Sequence, residues 1–124
     1  MIFGTGIDIV DISRFERFVR EDNQPLFRRV FTPGEQAYCT ARKRSAQHYA
    51  LRFAAKEAVM KAMGVGLGAF AFADVEIERL PSGEPRLVLA GRAAEMASER
   101  AVEQWLVSLT HTTTAAAAVV VAVS

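Results

Sequence analysis

Arg52-Phe53-Ala54-Ala55-Lys56-Glu57-Ala58-Val59-Met60-Lys61-Ala62 is the stretch whose reading decides the fold. Its small residues favour a helix, and at about 100° per residue Leu51, Ala54, Ala55, Ala58, Val59 and Ala62 fall on one apolar stripe. Arg52 and Lys56 border one edge of that stripe, Glu57 and Lys61 the other. A carboxylate and an ammonium one turn apart at the border of a core can hold a divalent cation and meet a phosphate of the same ligand, which is what a diphosphate-handling site requires. The same spacing also belongs to a helix-stabilising pair on a solvated face, worth about 0.3–0.5 kcal/mol. The helix is predicted to open at Ser45 and to stop at Gly64, a residue suited to a left-handed C-cap.

Upstream, Ile2 to Val10 reads as a strand, with Ile7 and Ile9 pointing one way and Asp8 and Val10 the other. Ser13 and Glu16 match a capping box, and Ile12, Phe15, Phe18 and Val19 supply a helical stripe that leaves Arg14, Arg17 and Arg20 outside the core. Thr32-Pro33-Gly34-Glu35 is a second helix start, with Thr at the N-cap, Pro at the first helical position and Glu at the third. That helix is predicted to run to about Ala41. Downstream, Val65 to Ala71 is a glycine-punctuated loop. Asp74 to Leu80 and Arg86 to Ala90 form a hairpin around Pro81-Ser82-Gly83-Glu84-Pro85. A helix over 91–102 is followed by strands over 104–112 and 114–123, the last so continuously apolar that it is expected to be buried on both faces, centrally in a sheet or in an oligomer interface.

Composition narrows the function. The 124 residues suffice for one domain with a real core, expected to span 1–124, and the net charge of +1 excludes nucleic-acid binding through a bulk basic field. The one cysteine, Cys39, cannot form an intrachain disulfide and reads as a core residue. No secretory pattern stands at the N-terminus and no apolar run is long enough to span a bilayer, so the expectation is a cytoplasmic protein with no membrane or nucleic-acid partner.

Neither Gly4-x-Gly6 nor Gly64-x-Gly66-x-Gly68 completes a dinucleotide or P-loop fingerprint, and both are read as serving turns. Two histidines without Cys or Glu partners at zinc spacing argue against a structural zinc site. His111 ends a strand among Ser108, Thr110 and Thr112, a cluster able to hydrogen-bond a phosphate or a base; a satisfied surface histidine is the plainer alternative. Asp8 interrupts an apolar strand, and a buried carboxylate needs a cation or a hydrogen-bonding role. If the first strand packs on the long helix, Asp8 and Glu57 converge into a two-carboxylate magnesium site.

Taken together, Gly6-Ile7-Asp8-Ile9-Val10-Asp11-Ile12, Arg52-Phe53-Ala54-Ala55-Lys56-Glu57-Ala58 and Ser108-Leu109-Thr110-His111-Thr112 resemble the holo-acyl carrier protein synthases, the small bacterial phosphopantetheinyl transferases. Phe31-Thr32 with Glu35 and the Gly83-x-Pro85 turn extend the likeness over nearly the full length. The resemblance implies an α+β phosphopantetheinyl transferase fold, an antiparallel sheet packed on a long helix, assembling as a homotrimer with sites between neighbours. It implies transfer of 4'-phosphopantetheine from coenzyme A to a serine of an apo-acyl carrier protein, supporting fatty acid biosynthesis. Asp8 and Glu57 would bind Mg2+, with Lys61 beside the coenzyme A phosphates and Arg52 and His111 near the coenzyme. Arg14, Arg17 and Arg20 would meet the acidic carrier protein. Either Glu57 or a water on the ion would take the serine proton. The chain departs from many members at Met63-Gly64-Val65-Gly66, where a loop threonine is absent. Alternatives from other classes are a non-catalytic trimeric module that binds a carrier protein or a nucleotide, and a hydrolase of nucleotide diphosphates.

Overall fold

The long helix forms as the sequence predicts. In the computed structural model, which describes residues 1–124, it spans Ser45–Met63 (α4) and ends at Gly64 with φ +72°. The Val65 N–H closes back on the Met60 carbonyl at 3.0 Å, completing the left-handed cap. Around α4 stand β1 (Ile2–Asp11), α1 (Ile12–Arg20), α2 (Gln24–Val30), α3 (Pro33–Thr40), a 3₁₀ turn at Phe72–Asp74, β2 (Val75–Arg79), β3 (Pro85–Leu89), α5 (Gly91–Glu99), β4 (Gln104–His111) and β5 (Ala115–Val123). Antiparallel β1, β5 and β4 make one sheet in that order, and β2 with β3 makes a separate hairpin. The result is an α+β fold in which β1 and β5 lie directly against α4.

The expected single stripe on α4 is corrected. Thirteen of its nineteen residues are buried, so the helix is enclosed on every side, and Arg52 and Lys56 belong to the interior rather than to a border. Lys56 is tolerated there because every donor is matched. Its Nζ lies 2.7 Å from Glu35 Oε1, donates to the Phe72 carbonyl at 3.1 Å and also donates to the Val75 carbonyl. Glu35 in turn completes the predicted capping box with Thr32 and accepts the Ile77 N–H at 3.0 Å. One buried ion pair therefore fastens α3, α4 and β2 together.

Gly4 and Gly6 are also corrected. They sit within β1, not in turns, and a Cβ on either would overlap the backbone carbonyl oxygen of Ala62 or Ala58. The strand can touch the helix backbone only because both sides are stripped of bulk, glycine on β1 and alanine on α4. The inward face of β1 is accordingly Gly4, Gly6, Asp8 and Val10, while Ile7 (64% exposed) and Ile9 (70%) face outward.

Four further features depart from the sequence reading. α1 starts at Ile12, one residue after the β1 ladder ends, so Ser13 lies inside the first turn and no side chain caps the helix. α2 was not foreseen: Asn23 accepts the Leu26 N–H at 3.3 Å, and Pro25 occupies the first turn. α5 stops at Glu99, because Ala101 turns left-handed (φ +57°) and the Val102 N–H closes on the Ala97 carbonyl at 2.9 Å. Finally, β5 is central as anticipated, but only Ala116, Ala118, Val120 and Ala122 are fully buried. Its other face joins Ile7, Ile9 and Leu106 in an open apolar surface.

Candidate active site

The approach that Gly6 permits brings Asp8 to Glu57. Asp8 faces α4, and its side chain is only 12% exposed. Oδ1 is 3.3 Å from Lys61 Nζ, while Oδ2 is buried with no hydrogen-bond partner. Lys61 also donates to the Ile7 carbonyl at 2.8 Å, so it ties the helix to β1 and does not pair with Glu57. The surface-pair reading of Glu57 and Lys61 is therefore set aside. Glu57 is half-buried, and burial, followed by the Asp8 carboxylate beside it, pushes its pKa above the usual carboxylate range.

An orphaned carboxylate oxygen beside a second, reluctant carboxylate fits a hard divalent cation. No third His, Cys, Asp or Glu joins them. An ion held here would take its remaining positions from water or ligand oxygens, which is the habit of magnesium.

The Glu57 shift has a sign that can be checked. A carboxyl whose folded pKa is raised leaves stability intact below the unfolded value near 4.3, and stability is lost as pH rises through the folded pKa. In metal-free solution Glu57→Gln is therefore expected to melt above the parent at neutral pH, with the gap closing as pH falls below the ordinary carboxylate range. Melting curves at pH 4 and pH 7.5 in chelator check this.

Arg52 and His111 occupy a different place. Glu57 follows Arg52 by five residues, roughly 140° around the helix, and β1 and β4 lie on opposite sides of β5, about 10 Å apart. Within one chain Arg52 and His111 line a cleft of about 260 Å³ that none of Asp8, Glu57 or Lys61 enters. Arg52 is buried, donates to the His48 carbonyl at 3.3 Å and keeps Nε without a partner. His111 Nε2 lies 3.3 Å from Gln47 Nε2, and its Nδ1 is 3.4 Å from the Thr112 carbonyl, an arrangement that suits the Nδ1–H tautomer.

Arg14, Arg17 and Arg20 are exposed along α1 as predicted. Arg14 rests over the Phe53 ring at 5.5 Å, and Arg17 makes a 3.6 Å pair with Glu21. Cys39 is fully buried, and burial pushes its thiol up to about 12, so it is no nucleophile. No helix is long and apolar enough to cross a membrane.

Comparison with known proteins converges on one family. Residues 4–121 match the model of the 4'-phosphopantetheinyl transferase superfamily. The chain is 53% identical to a holo-[acyl-carrier-protein] synthase of Geotalea daltonii over 90% of each chain. It is 52% identical to one of Geobacter sulfurreducens over 98% of this chain and 97% of the relative. Among solved structures, the holo-[acyl-carrier-protein] synthase of Neisseria meningitidis superposes with a TM-score of 0.90 at 30% identity over the whole of both chains. That of Helicobacter pylori, in complex with coenzyme A, gives 0.83 at 32% identity over 96% of this chain and 99% of its own.

Proposed function

Because the chain belongs to the 4'-phosphopantetheinyl transferase superfamily, as a holo-[acyl-carrier-protein] synthase, we propose that its Asp8–Glu57–Lys61 cluster is where the coenzyme A diphosphate reacts. The enzyme transfers the 4'-phosphopantetheine moiety from coenzyme A to a serine of apo-acyl carrier protein and releases adenosine 3',5'-bisphosphate. The observation that carries the site assignment is the buried, unpartnered Asp8 Oδ2 next to Glu57.

Asp8 and Glu57 would hold magnesium, which would supply charge neutralisation at the diphosphate. Lys61 swings its ammonium from Asp8 to a phosphate oxygen. Glu57 or a water beside it would take the proton as the serine Oγ bonds to the pantetheine phosphorus. The bond from that phosphorus to the bridging oxygen breaks, and the electron pair leaves with adenosine 3',5'-bisphosphate. Incubation with coenzyme A, Mg2+ and apo carrier protein should add one phosphopantetheine to the carrier by mass spectrometry. An unmodified carrier overturns the reading.

The active species is a homotrimer. Two observations support this: Arg52 and His111 are turned away from the acidic pair, and the outward sheet face of Ile7, Ile9, Leu106 and Val119 is apolar and open. A neighbour's Arg52–His111 cleft then completes each acidic site. Sedimentation equilibrium should report three copies, and a fully active monomer overturns the shared site.

Arg14, Arg17 and Arg20 receive the acidic carrier protein. Rim charges act chiefly on encounter and register, so Arg14→Glu with Arg17→Glu should raise the carrier KM about tenfold, weaken its salt dependence and leave the coenzyme A KM nearly unchanged. Steady-state titrations of each substrate at two salt concentrations check this.

A further inference from the structure

Burial alone does not fix the rotation of α4. The helix is enclosed on every side, so turning it about its axis exchanges one buried face for another. Its N-terminal half is held by bulk: Tyr49 packs on Phe27 and Phe31, with ring centroids 4.6 Å and 4.7 Å away, and Phe53 packs on Phe15 and Phe72, both at 5.4 Å. The half that carries Glu57 and Lys61 meets β1 without such knobs, because Ala58 and Ala62 face Gly6 and Gly4. Interlocking needs side chains, and a seam of alanine on glycine permits close approach without setting a phase. Lys61 does span that seam to Asp8 and the Ile7 carbonyl. Its side chain is half exposed, and the chemistry requires it to leave Asp8 for a phosphate, so it cannot hold the helix through a turnover.

The opposite side of the helix carries a firmer contact. Lys56 projects about 100° from Glu57 and about 140° from Lys61. Its ammonium is shared among Glu35, the Phe72 carbonyl and the Val75 carbonyl, which belong to α3, the 3₁₀ turn and β2. Glu35 is itself tied down by the Thr32 and Ile77 N–H groups, each at 3.0 Å. Turning α4 by about 20° would carry a side-chain end, about 6 Å off the axis, through about 2 Å. All three Lys56 bonds would break together, in an interior where both side chains are wholly enclosed and water offers no replacement. A buried ion pair is a weak source of stability, and fixing register is its best-attested use.

We propose that Lys56 and Glu35 are positioning residues, a rotational lock that keeps α4 turned so that Glu57 and Lys61 face Asp8. The inference rests on the transferase reading, in which Asp8 and Glu57 hold the ion. Neither Lys56 nor Glu35 touches a reacting atom; both act through Glu57, the residue next to Lys56. Small displacements matter there, since a misplacement of about 1 Å can cost about 10²-fold in rate. Residues that orient a metal ligand from behind commonly contribute about 10–100-fold to metal affinity or activity.

The test compares the parent with Glu35→Leu combined with Lys56→Met, with Glu35→Gln, and with Val102→Ala. The last is a buried truncation between α5 and β4, on none of the elements the lock joins, and serves as a destabilised control. Three quantities are read well below each melting midpoint: Mn2+ affinity by electron paramagnetic resonance without coenzyme A or carrier, kcat with Mg2+, and the carrier KM. The double variant should bind Mn2+ about tenfold more weakly and lose about tenfold or more in kcat, with the carrier KM within about twofold of the parent. Glu35→Gln keeps the volume and loses the charge, so it should move the same two quantities less far. Val102→Ala should melt lower yet keep the parent's Mn2+ affinity and kcat. Parent-like Mn2+ affinity and kcat in the double variant would make the pair a fold pin alone and overturn the inference. Equal losses in Val102→Ala would overturn it too, as general loosening. If the double variant does not fold, Glu35→Gln decides by the same readings; if neither folds, the pair is a requirement of the fold and the inference falls. A parent that modifies its carrier but binds no Mn2+ overturns the acidic pair as the seat of the ion, and the lock with it. A parent that modifies no carrier overturns the transferase reading itself.

Discussion

Asp8→Ala and Glu57→Ala should each reduce transfer by about 10³-fold or more, the scale on which charge stabilisation operates in phosphoryl transfer. Each should leave the fold in place. Asp8→Ala gives up a half-exposed contact to Lys61, worth at most about 1 kcal/mol, and removes an oxygen that had no partner. Glu57→Ala removes the carboxylate that burial and Asp8 already disfavour. The measurements are turnover over a range of Mg2+ and melting in chelator. Parent-like turnover at moderate Mg2+ in either variant would remove the two-carboxylate site. A loss of activity accompanied by a large drop in melting temperature would show that the pair is structural.

The second large effect falls on stability. Lys56→Met leaves the Glu35 carboxylate in the interior without its cation and strips the Phe72 and Val75 carbonyls of their donor. Breaking one side of a buried pair costs about 3–5 kcal/mol, a large share of the 5–15 kcal/mol that holds a domain of this size together. The expected fall in melting temperature is about 10–20 °C. Adding Glu35→Leu should recover part of this, since the stranded charge is gone. Recovery stays incomplete because the Ile77 and Thr32 N–H groups then lose their acceptor. A Lys56→Met protein that melts like the parent would mean that water reaches the pair.

These two residues also mark the limit of what the sequence discloses. Lys56 adjoins Glu57, and periodicity alone set it at the edge of a stripe, because its partner Glu35 lies on another helix and no local pattern links them. Glu35 was recognised only for its backbone role in the capping box, where it does serve. Local rules succeeded where local forces decide, as at Thr32, Ser45, Gly64 and the turn before Pro85. They failed at Gly4 and Gly6, where glycine answers to a helix more than fifty residues away rather than to a turn. They also passed over α2, a seven-residue helix too short to show a period. Asp8 was legible as an anomaly, a charge in an apolar strand. Its neighbour Glu57 could be named only on the condition that β1 packs against α4, and Gly6 with Ala58 meets that condition.

The pairing of β1 with β5 governs how this protein acquires its shape. The ladder runs from Ile2 opposite Val123 to Asp11 opposite Ala115, so strands adjacent in the sheet are the most distant in the chain. Contact order is therefore high for the element that carries Asp8. The entropy of closing so long a loop must be met before the pairing returns any free energy, which moves folding toward the millisecond-to-second range. α4 and the β2–β3 hairpin are local and can form early, whereas β1 gains its sheet partner only once residues 115–123 have left the ribosome. In refolding from denaturant, helical signal should recover ahead of the packing of Asp8 beside Glu57, because that packing depends on the last strand to dock.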